Sequence, residues 1–169
     1  MLRYEEVPTP EPGPGEVLVA LRAAALNRLD LFVRDGIPGV KLPHIGGADG
    51  AGVVVANGPG AGRYPAGTRV FFDPGISDGT CSYCRRGENS LCDHWEILGE
   101  QRDGTFAQAV PIPEGNVRPI PERLRFQEAA AIPLVVLTSS PMLLRKPTPP
   151  PRAPLLRRWL RGVARPSVR

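Results

Sequence analysis

The chain has 169 residues, enough for one domain with a hydrophobic core, and a formal net charge of +4. All 17 acidic residues but only 13 of the 21 basic residues lie within 1–139, so this part is mildly acidic, which argues against nucleic acid as its partner. The last 30 residues carry eight basic residues, seven prolines and no acidic residue.

The sequence also speaks against a membrane or secreted protein. No stretch reaches the roughly 18 to 20 apolar residues that span a bilayer, and the N-terminus lacks the basic and apolar regions of a signal peptide. The three cysteines are an odd number, which suits a reducing compartment better than a disulfide framework. We therefore expect a cytoplasmic protein with no membrane partner.

Short apolar runs separated by single glycines and prolines predict many short strands and turns. The first predicted strand spans 16–22, where a nearly continuous apolar run indicates burial on both faces. A short helix is expected next, with Asn27 as its N-cap, running through Arg34 and ending at Gly36.

A β-branched strand is predicted over 51–56, and Gly50 and Gly52 at its start indicate a bulge or a close backbone approach. The glycines of 58–62 do not form a dinucleotide-binding loop, because Arg63 stands where the third glycine belongs and no helical pattern follows. The other predicted elements are a turn at Asn57-Gly58, strands around Val70 and over 104–111, and a short helix over 126–132 before Pro133.

The cysteine lobe, residues 78–94, holds all three cysteines in the pattern D-x2-C-x2-C-x7-C, with Asp78, Cys81, Cys84 and Cys92. A C-x2-C pair can bind one divalent ion from a single turn, and a third cysteine leaves one tetrahedral corner for another ligand. Asp78 is the favoured fourth ligand. His94 is its rival, although Cys92 and His94 would crowd two ligands onto one short stretch. The pattern predicts a closed structural zinc site; a disulfide and unrelated free thiols are the alternatives.

An apolar run from Leu134 begins what is expected to be a longer helix, which Ser140-Pro141 should interrupt. The proline-rich stretch 147–154 suits neither a helix nor a central strand, so we expect the fold to end near residue 140. Apolar residues recur at helical spacing over 155–163, between arginines. This tail is interpreted as a solvated or non-native extension, with a membrane-surface helix, a partner helix or a nucleic-acid tail as alternatives.

One set of segments agrees in order and spacing with a known family: 7–19, 24–30, 47–55, 67–70, the cysteine lobe, 104–107 and 128–133. Together they resemble the N-terminal half of medium-chain zinc-type alcohol dehydrogenases and quinone oxidoreductases. The resemblance implies a mainly β fold with short helices: a GroES-like, partly open β-barrel over 1–133 with a zinc lobe. Residues 134–169 would then be the truncated start of a Rossmann-domain helix and a disordered or irregular Pro/Arg-rich tail.

The resemblance assigns roles residue by residue. Cys81, Cys84 and Cys92 match the family's structural zinc ligands, and the family's first cysteine falls on Asp78, whose carboxylate is also a competent ligand. Zinc-dependent members place a catalytic cysteine and histidine where this chain has Asn27 and Ala48, neither of which replaces those ligands. A catalytic zinc is therefore not expected.

Three further positions match functional positions of the family. Asp30 and Asp49 fall on acidic positions of its catalytic motifs, with helix capping or a structural hydrogen bond as the alternative role. Thr138 falls where the family approaches the nicotinamide, with an ordinary helical threonine as the alternative.

This pattern looks like the branch that reduces a small-molecule carbonyl, quinone or activated alkene by direct hydride transfer from NAD(P)H. Asn27 is the candidate polar contact to the developing negative charge. No glycine-rich phosphate loop opens a helix after Thr138, so we expect a truncated or frame-shifted dehydrogenase that is inactive alone. The alternative function is a small zinc-binding module whose basic tail recruits an anionic partner or membrane surface.

Overall fold

The computed structural model describes residues 2–144. The expected irregular tail and the amphipathic stretch 155–163 lie outside the described residues. Four helices are described: α1 (Arg28–Asp35), α2 (Ser82–Arg85), α3 (Phe126–Ala130) and α4 (Pro133–Leu144). The seven described strands are β1 (Glu16–Ala25), β2 (Asp49–Asn57), β3 (Arg69–Phe72), β4 (Gly75–Ile76), β5 (Glu96–Ile97), β6 (Ala109–Pro113) and β7 (Val117–Pro119).

Five of the strands form one antiparallel sheet in the order β6-β1-β2-β3-β7, and β4 pairs with β5 in a separate ribbon. The two edge strands of the large sheet, β6 and β7, are separated in sequence only by the short 3-10 turn Glu114–Asn116. Since three residues cannot cross the width of a flat five-stranded sheet, the sheet must curl until its edges come close. The predicted partly open, mainly β barrel is confirmed.

The interior of the barrel is filled by apolar side chains, most of them aliphatic. Val17 and Val19 of β1 are fully buried and belong to this core. Leu18, between them, is also buried, so the start of β1 is covered on both faces as predicted, whereas Arg22 is exposed. The other core residues are Val54, Tyr64, Val70, Phe72, Ile76, Leu98, Val110, Ile112 and Val117.

A second, smaller apolar cluster lies where α3 packs against β1 and β2. Ala51 of β2 and Ala129 and Ala130 of α3 are all fully buried, because alanines allow a helix to approach a sheet closely. This cluster fixes the end of the sheet from which the chain continues into α4.

The bulge predicted near Gly52 is present. The register of β1 and β2 shifts between Leu18 and Val19 and again between Leu21 and Ala23. A Cβ at position 52 would lie 2.1 Å from the carbonyl oxygen of Ala20, so the two strands meet here at a distance that only glycine permits.

Two predicted boundaries are wrong. Residues 104–106 are not a strand: their backbone N–H groups donate to the carbonyls of 45–47, and β6 begins only at Ala109. This pairing between distant loops overrides the local strand pattern. Helix α4 also runs through Pro141 to Leu144. Ser140-Pro141 therefore does not interrupt the helix, although the proline lacks the backbone N–H that a helical residue donates.

No helix among residues 2–144 combines the length and the apolar character that crossing a membrane requires.

The close approach at Gly52 predicts a large effect of a small substitution. Gly52→Ala should lower the free energy of unfolding by about 2 kcal/mol or more, because the new methyl group meets the Ala20 backbone rather than a flexible side chain. Gly115→Ala is the matched control, since a Cβ there meets nothing within 4 Å. Urea denaturation of both variants measures the difference; equal stabilities would contradict the close approach.

Candidate functional site

The cysteine lobe brings four candidate ligands to one point. One carboxylate oxygen of Asp78 and the sulfurs of Cys81, Cys84 and Cys92 all lie within 4.8 Å of one another. Cys81 immediately precedes α2, Cys84 lies within it, and Cys92 follows a 3-10 turn, so short local turns set all three sulfurs. Ligands around a tetrahedral Zn²⁺ with Zn–S bonds near 2.3 Å are separated by roughly 3.8 Å, so this donor set fits the ion after small movements.

Backbone N–H groups hold the sulfurs in place. The amides of Asp78 and His94 both donate to Cys92 Sγ at 3.4 Å, and the amide of Cys84 donates to Cys81 Sγ at 3.4 Å. Such N–H···S hydrogen bonds favour the thiolate over the thiol. The lobe thus directs backbone hydrogen-bond donors at the sulfurs of Cys81 and Cys92.

The Asp78 carboxylate is held as firmly. Its Oδ1 accepts hydrogen bonds from the backbone N–H groups of Cys81 at 3.0 Å and Thr80 at 2.8 Å. These two bonds hold the pKa of Asp78 well below its usual range. Asp78 thus remains an ionised acceptor throughout the physiological pH range.

Cys81 and Cys84 differ in their titration. Hydrogen bonds from the backbone, first that of Cys84, lower the pKa of Cys81. Partial burial, followed by hydrogen bonding to Cys81, Cys92 and Asp78, raises the pKa of Cys84 to about 12. A cation entering the lobe must displace the proton of Cys84, so its binding competes with protons.

His94 is exposed and contributes its backbone amide, not its imidazole, to this group. Of the two candidate fourth ligands, the structure brings Asp78 to the sulfurs.

The three predicted catalytic residues also lie together, in what we term the Asn27 cluster (Asn27, Asp30 and Asp49). The Asn27 side-chain amide donates to Asp49 Oδ2 at 3.1 Å, and the Asn27 backbone N–H donates to Asp30 Oδ2 at 2.6 Å. Asn27 is also the N-cap of α1, as predicted, with Gly36 ending the helix at φ 93°. The cluster therefore links the end of β1, the start of α1 and the start of β2.

Asp49 is the buried centre of this cluster, with 1% of its surface exposed. Its second oxygen, Oδ1, accepts a hydrogen bond from the backbone N–H of Leu134 at 2.9 Å, in the first turn of α4. Burial raises the pKa of Asp49 to about 6, although the hydrogen bonds from Asn27 and Leu134 oppose the shift. The nearby carboxylate of Asp30 raises the pKa of Asp49 further. One oxygen of Asp30, Oδ1, is buried without a hydrogen-bond partner in the described structure.

Thr138 lies apart from the Asn27 cluster. It is exposed on α4, and its hydroxyl donates to the carbonyl oxygen of Leu134 one turn earlier at 2.9 Å. This bond is the ordinary role of a helical threonine. Its contact with a nicotinamide stays a prediction.

Sequence reasoning missed three features of the site. The backbone N–H of Leu134 and the hydroxyl of Thr105, which donates to the Asp49 carbonyl at 2.8 Å, carry no signal in a sequence pattern. A cleft of about 570 Å³ also opens between the cysteine lobe and α4. Its walls come from distant segments and include Phe71, Asp73, Trp95, Arg118, Val136 and Leu137.

The described fold agrees with the known proteins to which the chain is similar. Residues 13–122 match the family described as "Alcohol dehydrogenase GroES-like domain". The chain belongs to this family. The chain is 38% identical over 135 residues to an alcohol dehydrogenase of Schizosaccharomyces pombe, an alignment that covers 78% of this chain and 38% of the relative. It is 36% identical over 116 residues to an L-threonine 3-dehydrogenase of Pyrococcus horikoshii, covering 66% and 33%.

Solved structures of similar proteins share the fold. A crystal structure of an NAD-dependent alcohol dehydrogenase superposes with a TM-score of 0.81 at 51% identity, covering 84% of this chain and 42% of that one. A cobalt- and zinc-bound thermostable alcohol dehydrogenase from Pyrobaculum aerophilum gives 0.78 at 33% identity, covering 85% and 44%. The chain thus spans roughly two fifths of the length of these relatives.

The raised pKa of Asp49 predicts a pH dependence of stability in the GroES-like domain. Its pKa of about 6 lies above the ordinary value of 3.8, so the folded state binds the proton more tightly than the unfolded state. This contribution is complete below pH 3.8 and is lost as the pH rises through 6. At about 1.4 kcal/mol per pKa unit, the free energy of unfolding should fall by about 2 to 3 kcal/mol over this interval.

Asp49→Asn should remove most of this fall, leaving a residual slope from Asp73, whose pKa burial also raises. Glu122→Gln, at an exposed position, is the matched control and should keep the full slope. Urea denaturation at pH 4.5 and pH 7 measures both variants. An unchanged slope in Asp49→Asn would show that another group is responsible.

Proposed function

We propose that the GroES-like domain, placed within residues 1–133, is the catalytic-domain part of an NAD(P)-dependent oxidoreductase and binds one structural zinc ion. The observation that carries the zinc site is the convergence of four donors within 4.8 Å. The similarity to a zinc-bound alcohol dehydrogenase supports it.

The proposed ligands are Asp78, Cys81, Cys84 and Cys92. Four protein ligands fill a tetrahedral site and leave no open position for substrate, so the ion serves the structure of the lobe and not the reaction. The N–H···S bonds orient the sulfurs of Cys81 and Cys92, and two backbone amides keep Asp78 ionised and oriented before the ion arrives. Cys84 gives up its proton when the ion binds.

The proposed reaction is hydride transfer from NAD(P)H to a small-molecule carbonyl, quinone or activated alkene. Similar proteins support the cofactor: one is a putative zinc-binding dehydrogenase from Sinorhizobium meliloti bound to NADP, 33% identical with a TM-score of 0.68. Asn27 and the buried Ala48 offer no catalytic zinc ligand. The polar group for the developing negative charge is instead Asn27.

Within this proposal, Asn27 donates and the two aspartates position it. One N–H of the Asn27 side-chain amide bonds to Asp49, and the same amide carries a second N–H for the substrate oxygen. Asp30 fixes the backbone of Asn27, and Asp49 orients its side chain. We assign Thr138 to cofactor binding. It lies one helical turn after Leu134, whose backbone N–H donates to Asp49.

The alternative is a zinc-binding module whose basic tail recruits an anionic partner; that tail lies outside the described residues. The partially accessible free thiols support a reducing, cytoplasmic location.

Elemental analysis of the protein refolded with zinc should find about one zinc per chain. Cys84→Ser should abolish binding, and Asp78→Asn should weaken it roughly tenfold or more, because the amide keeps an acceptor for the two backbone N–H groups but loses the charge. His94→Ala is the matched control and should bind as the wild type does. Zinc-free refolded protein, or loss of zinc in His94→Ala alone, would refute this ligand set.

The 169-residue chain should not bind NADH or NADPH by itself, because we assign pyrophosphate binding to a Rossmann domain of the intact enzymes. Calorimetric titration with both cofactors tests this. Oxidation of NADH or NADPH by the chain alone, or micromolar binding of either cofactor, would contradict the proposal that a separate Rossmann domain binds the cofactor. Binding to anionic vesicles that weakens with salt would favour the alternative function instead.

A further inference from the structure

We propose that the cysteine lobe is also a reversible oxidation site, in which a peroxide joins Cys81 to Cys84 as a disulfide and thereby releases the metal ion. This inference rests on the zinc site proposed above. It assigns different roles to three sulfurs that a metal site would treat as equivalent.

The three sulfurs differ in their access to a reagent. Cys92 is buried, with 8% of its surface exposed, and its sulfur accepts two backbone N–H groups, those of Asp78 and His94. Cys81 and Cys84 are both partly exposed, and the backbone N–H of Cys84 donates to the sulfur of Cys81. A small oxidant therefore meets the Cys81–Cys84 pair first.

The pair is also close enough to be joined. Cys81 and Cys84 stand one helical turn apart, with their sulfurs within the 4.8 Å that spans the whole cluster. A disulfide needs a sulfur–sulfur distance of about 2.05 Å, which side-chain rotation in a C-x2-C turn can supply. Bound zinc keeps both sulfurs as thiolates, the nucleophilic form.

The chemistry balances with hydrogen peroxide as the oxidant. The Cys81 thiolate attacks one peroxide oxygen, the O–O bond breaks, and the leaving hydroxide takes a proton to become water, leaving a sulfenic acid. The Cys84 thiolate then attacks this sulfur, the S–O bond breaks as the S–S bond forms, and the leaving hydroxide takes a second proton from solvent to become water. Two thiolates are oxidised by two electrons, and one peroxide is reduced to two waters.

Because the fourth ligand is a carboxylate, this oxidation leaves the metal ion with too few ligands to stay bound. Asp78 cannot be oxidised, so the disulfide leaves one sulfur, that of Cys92, and one carboxylate oxygen. Two ligands are too few to hold Zn²⁺ in competition with water. A four-cysteine site would keep two thiolates after the same reaction.

The test uses the zinc-loaded full chain and one equivalent of hydrogen peroxide. The zinc content is measured first, so that a chain without zinc refutes the zinc proposal and not this one. We expect about one zinc released per chain, followed with a chelating dye, a fall from three free thiols to one, and a Cys81–Cys84 disulfide in peptide mass mapping. Dithiothreitol with added zinc should restore the starting protein.

Two variants separate the roles of the sulfurs. Cys84→Ser should accumulate a sulfenic acid at Cys81 that dimedone traps, whether or not the variant binds zinc. Cys81→Ser should lose its thiols to peroxide roughly tenfold more slowly than the wild type. His94→Ala should react as the wild type does. The proposal would be overturned if all three thiols stayed reduced and the zinc stayed bound after peroxide treatment. A disulfide that involves Cys92 would also overturn it.

Discussion

The arrangement of the predicted catalytic residues depends on one buried carboxylate. Asp49 is almost completely removed from water, and a charge in such a place is tolerated only if both oxygens are hydrogen-bonded. One oxygen accepts from Asn27 before α1, and the other accepts from Leu134 in α4. The same residue therefore fixes two helices against β2. Any movement of either helix would leave an uncompensated buried charge.

The cysteine lobe depends on a different kind of interaction. Its turns are short and polar, and of its candidate ligands only Cys92 is buried, so little apolar burial holds them. Its connection to the barrel is local: β4 pairs with β5, and the ring of Trp95 lies where a side chain at Gly75 would stand. The side-chain amide of Asn116 donates to the backbone carbonyls of Asp73 and Gly75. A metal ion would therefore stabilise the lobe without being needed for the barrel core.

Local sequence signals succeeded where the determining contacts are close in sequence. The cap at Asn27 and the stop at Gly36 describe α1 correctly, because both ends are decided within one helical turn. The strand signal over 104–111 failed in its first half because Gly104 donates to the carbonyl of Ile45, some sixty residues earlier. No periodicity reports such a pairing.

Local patterns in the sequence predicted many short strands and the clustering of three cysteines, because strand patterns and a C-x2-C turn are short-range properties. The GroES-like barrel was predicted from the family resemblance. The sequence left open whether Asp78 or His94 approaches the sulfurs, and only the course of the folded lobe decided for Asp78. The tertiary structure alone showed that Asp49 is bound by Leu134, 85 residues away, and that its pKa rises to about 6. Burial and hydrogen bonding between distant segments set that value, and both arise only once the chain has folded.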